Sequence, residues 1–396
     1  MSRPRILYLD VPFENESGGD KNRSRFLFHA LRDNFDVDLL LIGREGASAK
    51  PTWTNFKPLA MFAPQPAPFP RPASTPSFAL ADCEKFISLL REKDYAAVFC
   101  RFTIGWELLE LVRTNAPETA VVVDVDMVSS RLVALTWAAN PSFKKRWFLF
   151  EKWKLQHFER RLFREPWLFL FTNSTELADV RDGVAPQPAA GEFTLLPNIM
   201  VRAAEPPVER QPVILFFGSL DSSANVDGFQ FLVDEVLPQI EADLKQHNIK
   251  IHIVGKNPPA AFAERLRAIG TDRVTLVGPV DSIEHAIAES QFVLLPLRIA
   301  SGTRTRILEA AAVGRAVVTT TIGAEGLDLG DTVLIGDTAQ DLAAHTRRLL
   351  ADQAAADEAG ARLRQRSTAL YAEGNVAADL VTKLERFLQR KKGGAR

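Results

Sequence analysis

Two α/β domains, each a doubly wound parallel sheet, are what this chain predicts, and three observations carry the prediction. Apolar runs alternate with helically spaced stretches twice over, once before residue 195 and again after residue 212. The apolar runs are continuous rather than alternating, as in strands covered on both faces. Between the two series lies LLPNIMVRAAEPPVERQP, residues 195–212, proline-rich and without periodicity, as a linker between domains should be. At 396 residues the chain is also too long for one ordinary core.

In the first half the strand candidates are RILYLDV, VDLLLI, AAVFC, AVVVDVD and LFLFT, at residues 5–11, 37–42, 96–100, 120–126 and 168–172. Phe26 to Leu31, Asp82 to Glu92 and Trp106 to Arg113 carry helical spacing. Residues 58–76 hold seven prolines, which exclude a helix or a central strand and predict an extended loop. That loop reads either as a spacer over the surface or as a lid. In the second half VILFFG, IKIHIVG, RVTLVG, FVLLPL, RAVVTT and TVLIG read as strands. FQFLVDEVLPQIEADLKQ, PAAFAERLRAIG, SIEHAIAES and TRILEAAAVG read as the helices between them. The domains are expected over 1–200 and 201–375. Val376 to Gln389 is amphipathic and helical, and RKKGGAR at the end is expected to be disordered.

Composition is that of a soluble globular protein, 46% hydrophobic and 24% charged. A net charge of −1 excludes a general electrostatic bias toward nucleic acid. Cys83 and Cys100 lie far apart without metal spacing and are expected to be unpaired, inert thiols. No histidine pair has metal spacing, so no metal is expected. MSRPRILYLDVPFE lacks a signal-peptide pattern, and no apolar run approaches the ~20 residues of a spanning helix. A cytoplasmic protein is expected. One stretch keeps peripheral membrane contact open: FKKRWFLFEKWKLQHFERRLFR, residues 143–164, mixes eight Lys/Arg with Trp147, Trp153 and several phenylalanines. It reads either as a basic-aromatic helix lying on an anionic surface or as an ordinary helix with its rings in the core.

The most informative stretch runs from Phe292 to Leu327. FVLLP is a buried strand ended by proline. Ser301-Gly302-Thr303 supplies turn chemistry and a hydroxyl cap. A helix follows, carrying Arg304, Arg306 and Glu309 and stopping at Gly314; Ala316 to Thr320 is the next strand. Such a helix start lies at the carboxyl ends of parallel strands, where these sheets bind ligands. Its unpaired N–H groups and dipole favour an anion, and arginine adds planar donors suited to phosphate. Glu309, farther along, can accept hydrogen bonds from hydroxyls such as those of a ribose. The pattern points to a nucleoside diphosphate with a sugar attached.

RTRILEAAAVGRAVVTTTIGAEGL resembles the donor-site signature of the retaining GT-B glycosyltransferases of the GT4 (group 1) type. PVILFFGSLDSSANVDGFQFLVDEVLPQI, IHIVGKNPP and VTLVGPVDSIEHAIAESQFVLLPL are similar to earlier elements of that family's donor domain. The likeness covers roughly residues 212–330 closely and the N-terminal half in outline. It implies two Rossmann-like domains facing across a cleft, the second binding the nucleotide sugar, with the last helix, about 376–390, packed back on the first. It implies metal-independent transfer without a cofactor. Arg306 stands where the family commonly has lysine. Arg304, Arg306, Lys256, Gly218, Ser219, Gly302 and Thr303 become candidates for holding the diphosphate. Asn225 lies in a family-like position. Glu309 matches the glutamate that binds the ribose hydroxyls, and Gly278, Pro279 and Val280 would line the base pocket. The family often has a further glutamate eight residues before this one. Here Ser301 takes that place, leaving Ser301 and Gly302 as the sugar-side candidates.

In the first half, Glu16-Ser17-Gly18-Gly19-Asp20 follows a strand and precedes Lys21, Arg23 and Arg25. It reads as an acceptor-side loop around Gly18 and Gly19 or as an ordinary turn. Asp124 and Asp126 end a strand at its carboxyl tip. Asp126 is expected to orient an acceptor hydroxyl or act as a base, as a catalytic partner of Arg306 and Glu309, or else to cap the next helix. The expected activity is transfer of a sugar from a nucleotide sugar to a glycan or lipid-linked acceptor, in surface polysaccharide or glycolipid assembly. The rivals are a nucleotide-sugar epimerase on the same fold and a non-catalytic nucleotide-sugar-binding protein.

Overall fold

The computed structural model describes residues 3–12, 19–43, 53–139, 147–184, 191–201, 208–220, 222–299, 302 and 304–394. The chain divides into two compact units. The first is Met1–Val133 with Arg146–Asn198 and Glu373–Arg396; the second is Ala134–Lys145 with Ile199–Ala372.

The first unit begins with β1 (Arg5–Asp10), α1 (Gly19–Asn34), β2 (Asp36–Ile42), β3 (Ala60–Phe62), α2 (Leu80–Glu92), β4 (Tyr95–Arg101) and α3 (Trp106–Asn115). It continues through β5 (Ala120–Val125), the first turns of α4 (Ser129–Ala139, counted with the second unit from Ala134), α5 (Trp147–Leu162), β6 (Leu168–Phe171), α6 (Ser174–Asp179) and β7 (Glu192–Leu195). The strands form one sheet in the order β3-β2-β1-β4-β5-β6-β7, every pair parallel. Ile6, Leu7, Tyr8 and Leu9 are all fully buried, the signature of a strand covered on both faces. The proline-rich stretch supplies β3 at the sheet edge, a place proline tolerates because one side of the strand needs no donors.

The second unit runs β8 (Val213–Phe217), α7 (Ser223–Phe231), α8 (Leu237–Gln246), β9 (Lys250–Val254), α9 (Ala260–Ile269), β10 (Val274–Gly278) and α10 (Ile283–Glu289). Then come β11 (Phe292–Leu295), α11 (Thr305–Val313), β12 (Val317–Thr319), α12 (Thr321–Ala324), β13 (Leu334–Ile335), α13 (Ala339–Ala351) and α14 (Gln353–Tyr371). Its sheet order is β10-β9-β8-β11-β12-β13, again all parallel. Helix α15 (Glu373–Gly394) belongs to the first unit.

Several local expectations are corrected. The segment read as a linker without periodicity has ordered ends: it begins with the end of β7, and Leu196, Ile199 and Met200 are buried, Met200 pairing in parallel with Ala372. Residues 391–394, expected to be disordered, continue α15. Helix α14 escaped notice because its buried stripe is Ala356, Gly360, Leu363, Ser367 and Tyr371, mostly small or polar side chains with little apolar periodicity. The IGAEG loop contains the short helix α12, capped by Thr320 through Gly323 N–H. Both cysteines are unpaired, and burial pushes the Cys100 thiol up to about 12. Among the described residues, no helix is long and apolar enough to cross a membrane.

Candidate functional site

In each sheet the chain builds outward on one side of a central strand and then returns to the other. The resulting switch point lies between β1 and β4 in the first unit and between β8 and β11 in the second. Neighbouring loops leave in opposite directions there, which opens a crevice at the carboxyl ends of the strands.

In the second unit, Arg306 on α11 crosses from the β11 side to the β8 side. Its Nη1 donates to the Phe217 carbonyl at 3.0 Å and to Asn225 Oδ1 at 2.6 Å. Asn225 in turn donates through Nδ2 to the Ser219 carbonyl at 2.6 Å, so it holds the loop after β8 as well as the arginine. Gly218 in that loop has φ +147°, and a Cβ on it would sit 2.7 Å from Asn225 Nδ2 and 2.8 Å from Arg306 Nη1. Glycine is required there for both backbone and space. Among the described residues, Nη1 is the only guanidinium nitrogen of Arg306 that makes a hydrogen bond, so Nε and Nη2 keep their donors. Burial lowers the Arg306 pKa to about 10, partly countered by the nearby Glu309 carboxylate, and the group stays charged at neutral pH.

Arg304 behaves differently. Arg304 is the N-cap residue just before α11 and turns toward α12, while Arg306, within the helix, faces β8. Its Nε donates to the Ile322 carbonyl at 3.0 Å, its Nη1 to the Gly302 carbonyl, and its Nη2 lies 3.3 Å from Glu325. Arg304 is buried and fastens the loop before α11 to the α12 segment. The expected hydroxyl cap also gives way: the N-cap residue is Arg304 itself, with no side-chain cap bond. Ser301 and Thr303 lie outside the described residues, and Gly302 has φ +71°, a turn conformation suited to glycine.

Three residues after Arg306, Glu309 shares its helix face. It is half-buried and makes no hydrogen bond or ion pair among the described residues. Burial raises its pKa to about 7; Arg306 lowers it and Glu284 raises it further. The strand ends β8, β9 and β10 are knit by Gly218 N–H to the Val254 carbonyl at 3.0 Å and Gly255 N–H to the Gly278 carbonyl at 2.9 Å. Gly278 has φ +85°, and Pro279 and Val280 beside it are exposed. Lys256 is exposed, its carbonyl accepting from Leu220 N–H at 2.9 Å. Sequence reading missed a further pair: Arg298 after β11 donates to Asp227 on α7 at 2.9 and 3.1 Å and lies 4.4 Å over the Phe231 ring. This brace ties the β11–α11 loop to α7 across the same switch point.

The first unit fills its switch point with its own charges. Arg23 on α1 donates to Asp124 at 2.5 and 2.9 Å, and Arg101 at the end of β4 donates to the other side of that carboxylate at 2.6 Å. Asp10 lies 4.0 Å from Arg101 and accepts from Tyr8 at 3.0 Å. Asp124, Arg101 and Asp10 are completely buried and Arg23 nearly so. Asp124 is therefore a structural counter-ion rather than an acceptor-facing group, and despite burial its two guanidinium partners hold its pKa below the ordinary value. Burial pushes Asp10 up to about 6 against the pull of Arg101. Arg23 also donates to the Leu196 and Pro197 carbonyls and to Asn198, fixing the end of the first unit's chain before residue 199. Asp126 is almost fully buried, and its carbonyl accepts from Thr172 at 2.8 Å. Near the start of α4 two distant glutamates also reach the backbone, Glu176 accepting from Val128 N–H and Glu159 from Ser130 N–H. Gly19 opens α1, and Gly18 lies outside the described residues.

A pair of parallel α/β units, the second with an arginine-bearing helix start at its switch point, defines the GT-B class. Residues 211–352 match the family described as Glycosyl transferases group 1, so the second unit carries a domain of that family and the chain is a glycosyltransferase. Solved structures of similar fold include a sucrose-phosphate synthase from Thermosynechococcus elongatus, with TM-score 0.68 and 19% identity over 98% of this chain and 100% of that one. Anabaena HepE in complex with UDP has TM-score 0.64 and 13% identity over 96% and 100% of the two chains. WaaG, a glycosyltransferase involved in lipopolysaccharide biosynthesis, has TM-score 0.62 and 17% identity over 96% and 99%. No curated protein matches the chain in sequence.

Proposed function

We propose that the chain transfers a sugar, with retention of anomeric configuration, from a nucleoside-diphosphate sugar to a glycan or lipid-linked acceptor in surface polysaccharide or glycolipid assembly. The observation that carries the donor half is Arg306, a part-buried guanidinium held by Asn225 with two nitrogens left for a ligand, at the switch point of the group 1 domain. A diphosphate there receives planar donors and the N–H groups of the α11 start. Gly218 and Ser219 would admit its oxygens closely, with Lys256 at the rim. Glu309 would accept from the ribose hydroxyls, and Gly278, Pro279 and Val280 would flank the base. The bond from the anomeric carbon to the phosphate oxygen breaks, the acceptor oxygen takes its place, and the acceptor proton goes to the departing phosphate oxygen. Stabilising that leaving diphosphate is the chemical work assigned to Arg306. Asp126 would orient the acceptor.

The lipid-linked acceptor draws support from α5. Its inner face buries Leu155, Phe158 and Leu162, while Leu149, Phe150 and Trp153 are exposed, the last two about half so. The loop from β3 carries Phe69, 81% exposed, and is tied to α5 by Ala73 N–H on Glu151 and Lys154 on the Arg71 carbonyl. These exposed rings, with exposed Arg160 and Arg164 later in the same stretch, fit an anionic membrane surface. Neutralising the 143–164 cations should reduce sedimentation with anionic liposomes; wild-type protein that never sediments overturns the membrane contact. For the activity, purified protein is incubated with UDP- and GDP-sugars and candidate acceptors, and products are read by NMR. Transfer with retained configuration is expected. An isomerised sugar nucleotide points instead to an epimerase, and binding without turnover to a non-catalytic protein.

A further inference from the structure

The loop between β11 and α11 is clamped near its start by an arginine that the donor reading leaves unused. Arg298 donates through Nε and Nη2 to the two oxygens of Asp227 at 3.1 and 2.9 Å, and through Nη1 to Glu235 at 3.1 Å. Its guanidinium lies 4.4 Å over the Phe231 ring. The carbonyl before it, on Leu297, accepts from Thr320 Oγ1 beyond the end of β12. Gly228 lets α7 come close here: a Cβ on it would lie 3.1 Å from Leu297 Cδ2 and 3.2 Å from the Pro296 carbonyl.

The helix is altered beneath this clamp. Phe231 lies one turn past Asp227 and so shares its face. Glu235 lies eight residues past Asp227, roughly a quarter-turn off that line on a plain α-helix. Instead α7 runs into a π-helical turn, Leu232–Val236, before α8. The wider turn takes up one extra residue and returns Glu235 to the face of Asp227 and Phe231. Stability alone does not account for so many devices around one cation, because Arg298 is 40% exposed and exposed pairs contribute little. Its place in the chain does. Arg306, at the far end of the loop, has its own anchors on Asn225 and the Phe217 carbonyl, so the diphosphate cation stays in place without Arg298. What Arg298 governs is the backbone between them, which includes buried, left-handed Gly302.

We propose that Arg298 is a positioning residue, fixing the β11–α11 loop against α7 so that its backbone at Gly302 meets the transferred sugar. The inference rests on the donor reading above and adds how the sugar end of that donor is held.

Isothermal titration of the full chain tests it, with UDP and GDP and with a panel of UDP- and GDP-sugars, beside the rate of nucleotide release from whichever sugar binds. In Arg298→Gln the diphosphate Kd should change by less than about 3-fold, while nucleotide-sugar Kd weakens and release slows by roughly 10- to 100-fold, as small misplacements do. Arg298→Lys, which keeps the charge without the fork, should recover part of that loss. Asp227→Asn should reproduce it, and the double variant should be no worse than either, because the pair acts as a unit. Where Arg298→Gln does not fold, Arg298→Lys and Asp227→Asn make the same comparison. Equal changes for diphosphate and nucleotide sugar, or no change in either, overturn the positioning role whatever happens to Tm. Wild-type protein that binds no nucleotide, or binds UDP or GDP but none of their sugars, overturns the donor reading and the inference with it.

Discussion

Replacing Arg306 with alanine separates recognition of the diphosphate from recognition of the nucleoside. In the folded protein, burial lowers the Arg306 pKa from 12.5 to about 10, equivalent to about 3 kcal/mol of unfavourable charge burial. A bound dianion offsets that cost, and each charge-assisted hydrogen bond from Nε or Nη2 adds ~1.5–3 kcal/mol. The expected loss for a nucleoside diphosphate is therefore at least about 3 kcal/mol, on the order of 100-fold in Kd. The nucleoside, which offers no phosphate, should change by less than about 3-fold on the same basis. Isothermal titration with UDP and uridine, or GDP and guanosine, measures both constants on one preparation. Arg306→Lys keeps the charge without the fork and should fall between wild type and alanine. Alanine also strands the Phe217 carbonyl and Asn225 Oδ1, so circular dichroism must first show an intact fold. Equal losses for nucleoside and diphosphate refute the phosphate role.

Glu309→Gln probes the second contact. A carboxyl whose folded pKa is raised from 4.5 to about 7 makes the folded state hold its proton more tightly. Wild-type stability should therefore fall as pH rises through about 4.5 to 7 relative to the glutamine variant. Diphosphate affinity should rise from pH 6 to 8 in wild type and lose that increment in the variant; identical profiles exclude a carboxylate–hydroxyl contact. Gly218→Ala places a Cβ against Asn225 and Arg306 in a backbone conformation that suits glycine. It should weaken diphosphate binding at least ~10-fold while costing roughly 1–3 kcal/mol of stability, and unchanged affinity argues against a tight loop. Asp124→Asn leaves two buried guanidinium groups short of charge and should cost about 3–5 kcal/mol. All six tryptophans precede residue 168, so their fluorescence midpoint in urea follows the first half, and a loss under ~1 kcal/mol removes Asp124 from its structural role.

The strands and the signature helix were legible because their signals are local. Continuous apolar runs mark doubly covered strands, and Gly314 stops α11 in a left-handed turn that glycine adopts readily. What stayed hidden depends on partners distant in sequence. Arg304 and Arg306 look equivalent in a string of letters, yet one caps the helix start and turns toward α12 while the other sits in the helix and turns toward β8. Asp124 and Asp126 looked like a polar tip because nothing nearby neutralises them. The partners of Asp124 come from Arg23, 101 residues earlier, and from Arg101 on the adjacent strand. The hint was there: an arginine closing one apolar strand and an aspartate near the end of the next are complementary charges at one level of a parallel sheet. Arg298 and Asp227 gave no such hint, being 71 residues apart on different helices and loops.

The two switch points carry similar residue types and opposite electrostatics. In the first sheet, Arg23 and Arg101 spend their donors on Asp124, Ser24 and backbone carbonyls, so the buried charges are balanced inside the unit. In the second, Arg306 is anchored by one nitrogen only, and Glu309 beside it has no partner among the described residues. Burial penalises both charges, driving the arginine's pKa down and the glutamate's up, because neither is fully compensated. A ligand that brings an anion to Arg306 and hydroxyl donors to Glu309 relieves both penalties at once. A nucleoside diphosphate has those two features joined through one ribose. On the proposed function, the second switch point would therefore take the donor by electrostatic need as well as by family likeness, while the first is closed by its own salt bridges.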